Sequence, residues 1–313
     1  MKKTLIAILA LAAVAACNKA EVVDMNPGDA ISFSNAFVDN ATKAATDPSL
    51  GTTTNPLKAF KVWGTVNNTN GNPVAIFAND DVTGTVGENS TWTTTDKTQY
   101  WVEGAKYNFA ALVNAGNVEL GTDLLPATVT YAADGTTDLL YAKSNEYTGQ
   151  PAGSNVKVAL TFEHLLSKAK FTVNNTTVDT DYTYSVTGIQ ISNTFAEGTY
   201  SIANQKWSAT KTEALVFGDI ENVVNGTPVE CVSEKLLIPG EYTATIEFTV
   251  NLYYKGQLIS STPYTETTAK TAVLDLTKGY AYNFNLTLGL NDPIQFTVTE
   301  KPEWVSPTTD VTL

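Results

Sequence analysis

The sequence predicts an all-β fold, and three observations carry the prediction. Beyond residue 30, no long stretch places apolar residues at helical spacing. Short runs instead alternate apolar with polar residues and are rich in Val, Thr, Tyr and Phe, the types that suit a pleated surface with one packed and one wet face. Turn-forming clusters separate these runs at short intervals, which is the pattern of β-sandwiches.

Taken in order, the chain opens on Lys2 and Lys3, an apolar run over 5–14, and the small residues of Val14-Ala15-Ala16-Cys17. That run is too short to span a bilayer and reads as the apolar region of an export signal over 1–16. The residues before Cys17 fit a lipobox, so the thiol of Cys17 is the expected site of lipidation and the mature chain is expected to start there. An ordinary secretory signal with an incidental cysteine is the competing reading. Acyl chains on Cys17 would form a stable anchor, at about 0.8 kcal/mol per buried methylene.

Residues 17–43 read as a polar tether followed by a first strand over 30–38. Further strands are expected at 58–66 (KAFKVWGTV), 107–113 (YNFAALV), 156–162 (VKVALTF), 169–173 (AKFTV) and 242–250 (YTATIEFTV). Turns are expected at Asn70-Gly71-Asn72-Pro73, Asp134-Gly135, Gln150-Pro151-Ala152-Gly153, Asn225-Gly226 and Ile238-Pro239-Gly240. The mature length suits two domains, with a linker expected around 163–168: a first sandwich over 44–165 and a second over 166–313. With Cys17 lipidated, Cys231 is left without a disulfide partner, so both domains must rest on their cores.

The formal charge is -13, and all 19 basic residues are lysine. Nucleic acid is excluded as a partner class, because phosphate binding needs concentrated Lys and Arg. The absence of arginine also removes bidentate guanidinium recognition. His164 is the single histidine, no nucleophile elbow accompanies it, and the expected role is a bond to backbone at a domain junction. One His and one free Cys call for no metal site and no cofactor. The 32 acidic residues include Asp80-Asp81, Asp134 and Asp179-Thr180-Asp181, read as solvated turn carboxylates in the absence of a D-x-D-x-D-G loop. Trp63, Trp92, Trp101, Trp207 and Trp304 are read as core and strand-face residues, with a sugar-stacking platform as the alternative. Not an enzyme is the resulting expectation.

Several segments in order carry a resemblance. They are the lipobox at Cys17; Ile31-Ser32-Phe33 followed by Thr42-Lys43-Ala44; 100–111 (YWVEGAKYNFAA); Asp138-Leu139-Leu140-Tyr141-Ala142; 160–173 (LTFEHLLSKAKFTV); and the tail from Lys278-Gly279-Tyr280 through 294–298 to Trp304. Together they resemble the fimbrillin family of Bacteroidota, the subunits, anchors and tip proteins of type V pili. The resemblance implies two tandem transthyretin-like β-sandwich domains, export as a lipoprotein to the outer membrane and cell surface, and removal of the N-terminal segment by a protease. In that scheme the cut follows a basic residue, usually Arg, after the first strand; the matching positions here are Lys43 and Ala44, and the lysine departs from the family pattern. The implied partners are other pilus subunits, membrane lipid through Cys17, and a host or bacterial surface receptor.

The residues make physical sense of such a scheme. In a strand over 30–38, Ile31, Phe33 and Phe37 share a face and would cover part of the first core. Cutting after Lys43 would free that strand and leave a groove lined by apolar surface and unpaired backbone groups. A strand from a neighbouring subunit would restore both. The tail supplies a donor: Ile294, Phe296 and Val298 alternate with polar residues as a strand that could be lent or could complete the second domain, and 303–313, with Trp304, Val305, Val311 and Leu313, are the better candidates. A non-polymerising surface lipoprotein that binds a glycan or host ligand is the alternative the residues leave open.

Overall fold

The computed structural model describes residues 28–38, 57–67, 71–84, 92–231, 234–264, 270–290, 294–301 and 309–312. In the first half lie β1 (Ser32–Val38), β2 (Ala59–Asn67), β3 (Pro73–Thr83), β4 (Thr93–Thr94), β5 (Lys106–Val113), β6 (Val118–Leu120), β7 (Pro126–Ala132), β8 (Leu140–Lys143), β9 (Tyr147–Thr148) and β10 (Lys157–His164). The second half adds β11 (Ser167–Asn175), β12 (Tyr182–Ser201), β13 (Lys206–Val223), β14 (Val229–Glu230), β15 (Lys235–Leu237) and β16 (Gly240–Tyr254). It ends with β17 (Gln257–Tyr264), β18 (Lys270–Leu276), β19 (Ala281–Leu288), β20 (Gln295–Lys301) and β21 (Thr309–Thr312).

The first sheet runs β1-β10-β8-β5-β2-β3-β4, with β9 on β5. Its two ends meet. Phe33 in β1 exchanges backbone bonds with Trp92, next to β4, and Ile31 N–H donates to Gln99 O at 2.8 Å. The strands therefore curl around one core of Phe33, Phe60, Phe77, Trp92, Trp101, Phe109 and Phe162. The ring closes because alternating strands such as β10 turn every second side chain inward: Val158, Leu160 and Phe162 are fully buried, while Ala159, Thr161 and Glu163 face water.

The second half is a two-layer sandwich. One sheet runs β14-β11-β19-β20-β21 with β15 on β11; the other runs β17-β16-β12-β7-β6 with β13 and β18 alongside. Phe171, Val173, Phe284, Leu286, Phe296 and Val298 from the first layer pack on Ile189, Ile191, Phe217, Ile246 and Leu274 from the second. Of the two readings of 294–298, the fold takes the second: Gln295–Lys301 pairs antiparallel with β19 and buries Phe296 and Val298.

Two expectations are corrected, on β5 and on Asp80-Asp81. The stretch 163–168, expected as a linker, is short and buried: Glu163 and His164 end β10, Leu165 and Leu166 are fully buried, and Ser167 begins β11. The apolar pair must be covered because it lies in a third core with Trp63, Leu112, Leu139, Tyr200 and Ile238, between the two halves. For the same reason β5 is packed on both faces, with Phe109 and Ala111 in the first core and Ala110 and Leu112 in the third; a near-continuous apolar run is what such burial requires. Finally, Asp80 and Asp81 lie within β3, paired with Lys97 and Lys61 at 3.2 and 2.8 Å, where Asn79 with φ 68° marks a local kink.

Candidate functional site

β1 enters the ring between two neighbours that are remote from it in sequence. On one side it runs parallel to β10, with Ser32 opposite Lys157, Phe33 opposite Val158 and Val38 opposite Phe162. On the other, backbone bonds reach the segment 92–101: Gly28 N–H to Trp101 O at 3.2 Å, Trp101 N–H to Asp29 O at 3.0 Å and Phe33 N–H to Trp92 O at 2.9 Å. It does not pair with β2, the next strand in the chain.

The side chains of this strand are core residues. Ile31 is 3% exposed and Phe33 is fully buried. The Phe33 ring meets Phe60 and Phe109 edge-on at 5.8 and 5.9 Å and Phe77 at 6.1 Å. Each such side chain stabilises the fold by about 1.5–3 kcal/mol through area removed from water. Phe37 is in β1, but its side chain is not among those described.

At the other end of the chain, β21 lies on the rim of the second half. Thr312 pairs with Thr297, Val311 with Val298 and Asp310 with Thr299, and among the described residues β20 is its only partner strand. The side chain of Val311 is not described, and Cys17, Lys43, Ala44, Trp304, Val305 and Leu313 lie outside the described residues.

His164 sits at the junction and is bonded there by a side chain. Its Nδ1 is 2.8 Å from Oδ2 of Asp138, and both side chains are buried. Asp138 was named above only within a family segment, and its pairing with His164 was not foreseen because the two lie 26 residues apart. Around this pair Leu165 N–H donates to Leu139 O at 3.0 Å, Trp207 Nε1 donates to Leu165 O at 2.9 Å, and Lys278 Nζ bonds Glu163 at 2.6 Å. The last two bonds tie the halves together. Among the described residues no group of three or more His, Cys, Asp or Glu is placed to hold a metal.

The tryptophans divide. Trp63, Trp92 and Trp101 are core residues, Trp101 from a loop rather than a strand. Trp207 is half-buried and lines a shallow depression of about 420 Å³ with Thr199, Ser201, Asn204, Lys206 and Ser208. Trp304 lies outside the described residues.

Comparison with known proteins gives the family and the fold. Residues 1–18 match the model of a prokaryotic membrane lipoprotein lipid attachment site, which ends one residue beyond Cys17. Among curated proteins none matches. A fimbrial protein from Bacteroides vulgatus is similar in structure, with a TM-score of 0.57 and 16% identity over 78% of this chain and 92% of that one. A candidate cell adhesion protein from Bacteroides uniformis gives a TM-score of 0.51 and 17% identity over 88% of this chain and 97% of that one. The family model described as fimbrillin-like matches residues 42–302, most of the sequence, and the chain belongs to that family.

Proposed function

We propose that this protein is a non-enzymatic structural or adhesive subunit of a type V-like fimbria, anchored in the outer membrane through Cys17 and assembled by strand exchange after a cut at Lys43. One observation carries the proposal. β1 fills the first core with Ile31 and Phe33, yet residues 39–56 are its only covalent link to the remaining strands. A single cut there turns a core strand into a separate fragment. Its departure bares two backbone edges, β10 and the segment 92–101, and an apolar slot between Phe60, Phe77 and Phe109. The tail from 303 to 313 is the candidate donor, because among the described residues β21 pairs with its own subunit only through β20.

Two variants test the joint. Lys43→Ala keeps β1 in place and so retains a donor without an acceptor; deletion of 303–313 retains an acceptor without a donor. Mixed after protease treatment, they are expected to yield heterodimers and no longer chains on denaturing gels run without boiling. Ladders from either variant alone would refute strand exchange.

A second reading is favoured by the depression at Trp207, where an indole and a ring of hydroxyl, amide and ammonium groups could contact a saccharide. In that case the protein is a surface lipoprotein that does not polymerise. Saccharide binding lost in Trp207→Ala, together with a cell-surface N-terminus at Cys17 rather than Ala44, would favour it over the fimbrial subunit.

A further inference from the structure

The loop 151–155 leads directly into β10 and meets β1 at its start. Gly153 and Asn155 both have positive φ, 89 and 51°. Their backbone N–H groups converge on the carboxylate of Asp29, Gly153 N to Oδ1 at 2.9 Å and Asn155 N to Oδ2 at 2.6 Å. Backbone N–H groups turned to one point form a concavity that binds anions. The loop is also braced by its own bonds: Ser154 Oγ donates to Pro151 O at 2.7 Å and Asn155 Nδ2 to Gly153 O at 3.2 Å. None of these needs Asp29, so the concavity is preorganised.

Its position follows from register. Ser32 pairs with Lys157 and Phe33 with Val158, an offset of 125 in both cases (157 − 32 and 158 − 33), which carried back puts position 29 opposite 154. The carboxylate is thus two residues ahead of Ile31 and four ahead of Phe33, at the mouth of the slot those side chains fill. Consistently, the N–H groups of Gly153 and Asn155 hold the Asp29 carboxyl below its usual range.

We propose that the loop 151–155 is a carboxylate-binding nest at the mouth of the groove: Asp29 latches β1 there while the chain is uncut, and a carboxylate of the replacing strand takes the same place. This rests on the strand-exchange reading above. It adds a rule for the partner: a strand from another subunit, parallel to β10, with an acidic residue two positions before its first apolar anchor, as Glu303 stands before Val305 in the tail. Charge-assisted bonds of this kind are roughly twice as strong as neutral ones, so the nest selects for acid over amide.

The test uses the full chain with a site-specific protease sequence placed in 39–56. After cutting, a labelled synthetic peptide of residues 28–38 is exchanged against the resident fragment, and compared with the same peptide carrying Asp29→Asn or Asp29→Ala. The wild-type peptide is expected to bind at least tenfold more tightly than the Asp29→Ala peptide, with Asp29→Asn between them. Equal binding by all three would overturn the nest and leave strand exchange standing. Failure of even the wild-type peptide to enter would overturn both. In the uncut chain, Asp29→Ala should also speed amide hydrogen exchange at Gly153 and Asn155 without changing it in β19, and unchanged exchange at those two amides would overturn the latch.

Discussion

Gly64 stands in β2 where a Cβ would come within 2.8 Å of both the Phe77 and the Phe109 rings. The missing side chain leaves the room into which those rings pack, so Gly64→Ala forces two large groups apart. The expected loss is about 1–3 kcal/mol in chemical denaturation, the usual cost of overpacking. Asp134 works through polarity instead. It accepts bonds from Thr136 and Thr137 backbone N–H at 2.7 and 2.6 Å and from the Thr137 hydroxyl. Partial burial pushes its carboxyl up, but these bonds outweigh it and bring the group down to about 2. Since the folded value lies below an unfolded value near 3.9, its contribution is complete above that range and is lost as pH falls toward 2. Asp134→Asn should therefore show a smaller drop in melting temperature between pH 5 and pH 2 than the parent does; an identical drop would remove Asp134 from the account.

At the scale of elements, β1 and β21 differ in what their loss should do to an intact chain. Phe33 is enclosed by aromatic rings, so Phe33→Ala is expected to cost about 3–5 kcal/mol. Deleting 303–313 removes an outermost strand paired on one side, and the melting temperature should move by far less. Calorimetry on both variants checks the contrast; a tail deletion as damaging as Phe33→Ala would mean that the tail belongs to the core. The elements that could be read in advance are those with strict alternation. In β10 and β19 every second residue is buried, so the period of two is visible in the sequence. In β13, by contrast, only Phe217, Ile220 and Val223 are buried across Lys206–Val223, and several bulges shift its register against β12, so no period survives. Strands of two or three residues such as β4, β9 and β14 are too short to show any period. The candidate site divides likewise. Ile31 and Phe33 were legible because they alternate with Ser32 and Ser34. Asp29 was not, because its partners lie more than a hundred residues away and offer only backbone N–H groups, which carry no residue signature.

For the whole molecule, the three cores do different things. The first and second each close one half, whereas the third, around Leu165 and Leu166, joins the halves through residues drawn from both. The joint has a second component besides packing. β7, from the first half, pairs antiparallel with the end of β12, Tyr131 opposite Gly198 and Val129 opposite Tyr200. A hairpin of one half is thus sewn into a sheet of the other.

That stitch bears on how the protein behaves under tension. If the proposed strand exchange builds a filament, each subunit is pulled between its groove and its tail, which lie in different halves. If Leu165-Leu166 were the only bridge, the halves would swing apart at low load before either yielded. With β6 and β7 anchored on β12, the load is shared between the covalent bridge and a hydrogen-bonded seam, and the subunit should stretch as one stiff body. Single-molecule pulling from both ends is expected to show no early, low-force extension before the main rupture, whereas such a step in the unaltered protein would mean that the seam carries no load. Val129→Pro removes one of the seam's N–H donors and should bring that step into view.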